Sequence, residues 1–158
     1  MPALLTTVPA VLTALTQLGQ ATVPGVAVYD GPPGDELPAE FLAVGFSRDE
    51  DEASVDGSTT DEGNGLSSES YDVHCILSCA SGDAGPTAVA DRRARAAQLW
   101  SAYASALRAD PTLGGVLIAG ARATVGAFSW IYGPSSQGGV YAEVEFDVTV
   151  SAGYLGAL

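Results

Sequence analysis

The chain has 158 residues, 47% of them hydrophobic, and sets 19 acidic residues against six arginines and no lysine, for a formal net charge of −13. A chain of that length fits one domain that buries roughly 70% of its unfolded surface, and the charge excludes binding to phosphate backbones through anything but a local arginine cluster. No apolar run approaches the ~20 residues of a membrane span, and residues 1–5 carry no basic residue ahead of an apolar block, so neither a spanning segment nor a signal peptide is expected.

The first predicted element is a helix with Thr6 or Thr7 as N-cap and Pro9 in its first turn, where a missing N–H does no harm. Val11, Leu12, Leu15 and Leu18 repeat at helical spacing and form one apolar stripe, and Gly19 is expected to end the helix. Residues 25–29 form a short apolar strand that stops at the turn Gly31-Pro32-Pro33-Gly34. Residues 40–46 form a second strand, expected to pair with the first as a hairpin.

Residues 48–66 are the one low-complexity stretch. Asp49, Glu50, Asp51, Glu52, Asp56, Asp61 and Glu62 are interleaved with Gly and Ser, and Val55 is the only large apolar residue between 49 and 62. So little apolar content predicts a mobile acidic loop that contributes little to folding. From 69 to 79 the pattern alternates: Tyr71, Val73, Cys75, Leu77 and Cys79 point one way, and Ser70, Asp72, His74, Ile76 and Ser78 the other.

A long helix follows over residues 87–109, with Val89, Ala96, Leu99, Trp100, Tyr103 and Leu107 as its buried stripe and Asp91 placed to pair with Arg95 at i,i+4. Asp110-Pro111 stops it. Residues 116–118 and 123–132 are predicted strand, with Gly120 and Gly126 marking a bend or bulge. The last strand is the clearest: Val140, Ala142, Val144, Phe146, Val148 and Val150 point in, and Tyr141, Glu143, Glu145, Asp147 and Thr149 point out. The whole is one α+β domain over residues 1–158, a largely antiparallel or mixed sheet of about five strands with two helices packed on one face.

No constellation points to catalysis or to a metal or cofactor. Cys75 and Cys79 lie about 13 Å apart along one strand, too far for a disulfide, and are expected to be free thiols on the apolar face. His74 and Cys75 point to opposite faces, so the single histidine reads as a surface residue and not as a zinc ligand. The acids from Asp49 or Asp61 onward miss the EF-hand spacing, with Ala53 and Ser54 or Gly63 where ligands or the turn glycine belong. There is no Gly-x-Ser-x-Gly elbow and no phosphate-binding loop. Glu143, Glu145 and Asp147 share one strand face without the aromatic-walled cleft of a glycosidase.

Two charged features remain. Arg92, Arg93 and Arg95 form the only basic cluster, either a solvated helix face or a subunit contact with the acidic surface of a neighbouring copy. The acids at 49–62 and the row Glu143, Glu145, Asp147 make either a solubilising surface or a lining that lets DNA slide past without sticking.

The order of these elements resembles that of the tail terminator, or tail completion, proteins of long-tailed bacteriophages, across residues 9–154. The residues that carry the resemblance are Gly25-Val26-Ala27-Val28-Tyr29-Asp30-Gly31, Val44-Gly45, the strand from Tyr71 to Ile76, the Arg-bearing helix, Leu113-Gly114-Gly115 and the closing strand with Val144, Phe146 and Val148. The resemblance implies a structural virion protein and not an enzyme. It implies a homo-oligomeric, hexameric ring that caps the completed tail tube, stops polymerisation and offers a head-docking surface. Its implied partners are the tail tube protein and a neck protein, its place the head-proximal end of the virion tail after assembly in the host cytoplasm, with DNA passing through the ring. No membrane, cofactor or metal is implied. The acidic stretch at 49–62 departs from the family pattern. Another neck or tail component, such as a head-closure protein or tube subunit, and a small acidic binding module outside phages are the alternative readings.

Overall fold

A computed structural model describes residues 6–118 and 120–156, and the side chains among them up to residue 152. Residues 1–5, read above as carrying no signal peptide, lie outside the described residues. Eight elements follow in chain order: α1 (Val8–Thr22), β1 (Ala27–Asp30), β2 (Glu40–Val44), β3 (Val55–Gly63), β4 (Leu66–Ser81), α2 (Ala88–Ala109), β5 (Arg122–Pro134) and β6 (Val140–Gly156). The domain is α+β, with six strands in one mixed sheet ordered β1-β2-β4-β6-β5, and β3 lying beside β4 on the same side as β2.

The two longest strands set the frame. β4 and β6 pair antiparallel from Ser81↔Val140 to Leu66↔Gly156, with one shift in register between Ser67 and Glu69. Their alternation is the expected one: Val73, Cys75, Leu77, Cys79, Ala142, Val144, Phe146, Val148 and Val150 are all buried beneath the helices in one core. That core takes Val11 and Leu15 from α1 and Ala96, Leu99, Tyr103 and Leu107 from α2. Trp100 and Val89 are only partly covered, and Ala88 is buried in their stead.

Four expectations are corrected by the structure. The helix α1 runs past Gly19 to Thr22. Gly19 is a contact residue and not a stop: a Cβ there would meet Leu42 Cδ2 at 2.8 Å and Val28 Cγ1 at 3.1 Å, so the bare backbone lets α1 settle on β1 and β2. The strands β1 and β2 are parallel, in the register Ala27↔Phe41 to Asp30↔Val44, and not a hairpin. Residues 31–39, with Pro32, Pro33 and Pro38, form a bent return that spans the ~13 Å length of β1 with chain to spare.

Third, the stretch expected to be a loop contains a strand. Residues Val55–Gly63 pair antiparallel with β4, from Val55↔Val73 to Gly63↔Leu66. The connection is the two-residue Asn64-Gly65, both at positive φ (56° and 76°), the conformation of a type I′ hairpin turn. Fourth, residues 116–118 are not a strand. The carboxylate of Asp110 gathers the chain after α2 into turns, accepting from Thr112 Oγ1 at 2.8 Å and Gly114 N at 2.7 Å, and the N–H of Ala123 donates to Pro111 O at 2.8 Å. Those hydrogen bonds hold the Asp110 carboxyl below its ordinary pKa. The bulge expected at Gly126 is present, between Val125 and Phe128 of β5.

Candidate functional site

The charged residues singled out in the sequence fall on two parts of this frame. On α2, Arg92, Arg93 and Arg95 do not act as one patch. The Nε of Arg95 pairs with Glu40 Oε2 at 2.9 Å and its Nη1 donates to Gln98 Oε1 at 3.2 Å. The expected Asp91–Arg95 contact is therefore replaced: Glu40 at the start of β2 lies closer, and Asp91 accepts from Thr87 Oγ1 at 3.2 Å. Arg93 lies over the Tyr132 ring, 4.7 Å from its centroid. Arg92 is half-buried.

The sheet face opposite the helices carries Asp56, Asp72, Glu143, Glu145 and Asp147. The Nδ1 of His74 contacts the carboxylate of Asp147, its cross-strand partner, and its Nε2 lies 3.5 Å from Glu52 Oε1. His74 is therefore a half-buried, bonded group and not a free surface histidine. Nδ1 is held by Asp147, while Nε2 faces the exposed Glu52 without a hydrogen bond to it. Glu145 lies on the same face, beside Ser129 of β5 and Ile76 of β4.

Glu143, expected to point into solvent, is 3% exposed. It does point away from the helices, but Arg48 closes over it, Nη2 to Oε2 at 2.6 Å, while Arg48 itself stays half in solvent. Burial pushes the Glu143 carboxyl above its ordinary pKa, and Arg48 and Ser78 offset only part of that. Glu143 is therefore a structural charge and not part of an acidic wall. The exposed acids are Asp49, Glu50, Asp51 and Glu52 on the turn before β3, and Asp56, Asp61 and Glu62 on β3. Of these, Asp49 accepts from Asp51 N, Glu52 from Ser47 Oγ, Asp61 from Gly63 N and Glu62 from Ser68 Oγ.

Besides Arg48, the basic residues that the sequence did not single out are Arg108 and Arg122. Both are exposed and both line a groove of about 630 Å³ between α2 and β5, with Trp100 and Phe128. They stand 14 residues apart in the chain and on different elements, so no local pattern announces them.

Among the described residues no group of three or more His, Cys, Asp or Glu is arranged to hold a metal ion, and no helix is long and apolar enough to cross a membrane. Compared with known protein families and with curated proteins, the sequence matches none.

Proposed function

We propose that this chain is a structural subunit that closes into a ring, hexameric by the family resemblance, on the head-proximal end of a bacteriophage tail tube. The ring ends tube growth and presents a surface to the neck of the capsid. The observation that carries the reading is that one sheet ends in two unlike open edges. On one side lies β5, beside Arg93 and Arg108 of α2 and the exposed side chains of Phe128, Ile131 and Tyr132. On the other lie β1 and the acidic β3. Unlike patches on opposite sides of one subunit favour head-to-tail contacts, and head-to-tail contacts make rings when the rotation closes.

Two further features support it. The chain runs helix, short strands, a long strand, a long helix and closing strands, the order on which the resemblance was read, with an acidic strand added, and the one histidine makes its contacts within the sheet, with Asp147 and Glu52. In such a ring the exposed Asp49, Glu50 and Asp51 serve as an acidic wall that repels a passing duplex within ~8 Å at 0.15 M salt.

Electron microscopy of tails tests this. Tails assembled with the protein should carry extra density at the head-proximal end and a uniform length, and tails assembled without it should overgrow and fail to join heads. Tails of normal length that join heads without the protein would exclude the role.

A further inference from the structure

Of the six arginines in the chain, Arg48 and Arg95 form ion pairs within the subunit and Arg93 stacks on Tyr132. Arg92, which is half-buried, has no ion-pair partner among the described residues, and neither do the more exposed Arg108 and Arg122, in a protein with 19 acids. The last two stand apart from the rest of the basic residues. They line the groove between α2 and β5 together with Trp100, Pro111, Val125 and Phe128. Phe128 is 55% exposed there. Below it, Trp100 packs its ring 5.1 Å from that of Phe128, and its indole N–H is buried without an acceptor. Two exposed guanidinium groups without an ion pair and an uncovered aromatic ring form a surface suited to an acidic partner.

The strand registers say where an acid of matching height is found. Arg122 lies across from Ser151 on β6, which lies across from Ser70 on β4, which lies across from Ser58 on β3. The next row of the same face runs Thr124, Thr149, Asp72, Asp56. Arg122 and Asp56 therefore lie one row apart on the sheet face away from the helices, at opposite edges of the sheet and about 14 Å apart across three strand spacings, with Asp61 and Glu62 further along β3. An arginine at one edge cannot reach the acids at the other edge of its own chain, but the neighbour in a head-to-tail pair presents them.

We infer that the groove between α2 and β5 is the docking site for the acidic β3 edge of a second copy of this chain, with Arg108 and Arg122 meeting Asp56, Asp61 and Glu62. The contact is made by side chains at the start of the β5 edge, where the Ala123 N–H is already spent on Pro111. This inference rests on the ring reading and names its interface. It moves the subunit contact from the engaged Arg93 and Arg95 to the free Arg108 and Arg122.

Charge reversal of the purified protein tests it by sedimentation over a concentration series. The wild type should self-associate, and R108E/R122E should weaken that association roughly tenfold or more, as should D56R/D61R/E62R. Mixing the two reversed proteins should restore it, since each then meets a complementary edge. The milder R108Q/R122Q, with melting curves for every variant, separates lost contact from lost folding. A wild type that stays monomeric to ~1 mM, association indifferent to either reversal, or a mixture that fails to recover would each overturn the inference; indifference would mean that the groove takes a tube or neck protein. Rings seen on tails built from each reversed variant alone would remove this contact and leave the ring reading standing; overgrown or headless tails from either variant alone, restored by the mixture, are the expected result, whereas tails of normal length that join heads with no copy of this protein are the failure of the ring reading and not of this one.

Discussion

The carboxylate of Glu69 accepts hydrogen bonds from both the backbone N–H and the hydroxyl of Thr7, each at 2.5 Å, across 62 residues of sequence. Thr7 is the N-cap of α1 by position, yet its side chain caps nothing in its own helix. The sheet supplies the anion instead, at the end of the helix where the backbone dipole favours one. Tyr71 OH lies 2.8 Å from Thr7 Oγ1 and completes the row. Burial above all, with Glu69 adding to it and the Thr7 bond opposing, pushes the Tyr71 phenol up to about 12, so it stays protonated at neutral pH.

Glu69→Ala should therefore cost about 2–3 kcal/mol, the range for hydrogen bonds to a charged group, and Glu69→Gln should recover part of it. Urea titration at pH 7 measures this. A loss below ~0.5 kcal/mol for the alanine variant would mean that α1 docks through its apolar stripe alone.

Gly57 of β3 tests whether the acidic stretch is held as a strand. It sits opposite Tyr71, and a Cβ there would overlap the Ser70 carbonyl oxygen and the Tyr71 side chain. Gly57→Ala should strip β3 from β4 without unfolding the core. Amide exchange at the β3 residues that donate to β4 should accelerate by at least tenfold while the β4–β6 pairs stay protected. Fast exchange along β3 already in the wild type would count against a stable strand.

Glu143 gives a pH dependence with a definite sign. Its folded pKa is raised, so the charged form is penalised: the penalty is absent below the ordinary value of 4.5 and complete once pH exceeds the raised value. Glu143→Gln removes it and leaves Arg48, which is half in solvent, to water. The variant should match or exceed the wild-type Tm at pH 7, and its advantage should shrink or reverse at pH 4. A clear loss at pH 7 would show that the Arg48 pair outweighs desolvation.

Phe146 and Glu145 contrast the two faces of β6. The Phe146 ring lies 5.9 Å from that of Tyr103 and 6.2 Å from that of Trp100, with 2% exposure. Phe146→Ala should cost about 3–5 kcal/mol, and Glu145→Ala should stay within ~0.5 kcal/mol. Equal losses in denaturant titrations would contradict the face assignment.

How far the sequence could be read depends on what each element is made of. The strands β4 and β6 alternate apolar and polar residues because one face is buried, and period two is visible without a structure. The helix α2 shows its stripe for the same reason. By contrast β3, with sequence Val-Asp-Gly-Ser-Thr-Thr-Asp-Glu-Gly, buries almost nothing and is held by its backbone ladder to β4, which composition does not display. Its signal was the Asn64-Gly65 pair, a hairpin turn in two residues, masked by the acids around it. The direction of β1 against β2 is set by where the 31–39 return lands, and short apolar runs do not encode it. Of the charged groups, the sequence singled out Arg92, Arg93 and Arg95 because they are adjacent. Adjacency put them where Glu40 and Tyr132 could occupy two of them, while the free pair, Arg108 and Arg122, is assembled only by the fold.

The two thiols have a use that follows from where they lie. Cys75 and Cys79 are free and buried, and burial pushes them up to about 12 and about 11. A thiol so rarely ionised and so covered reacts with an alkylating reagent only when the sheet opens. Both sit on β4, the strand that touches β2, β3 and β6. Their labelling rate is thus a clock for opening at the centre of the subunit, readable by mass spectrometry without any engineered probe. Because that clock runs in whatever assembly the protein occupies, slower labelling as concentration rises would time the lifetime of a subunit between its neighbours.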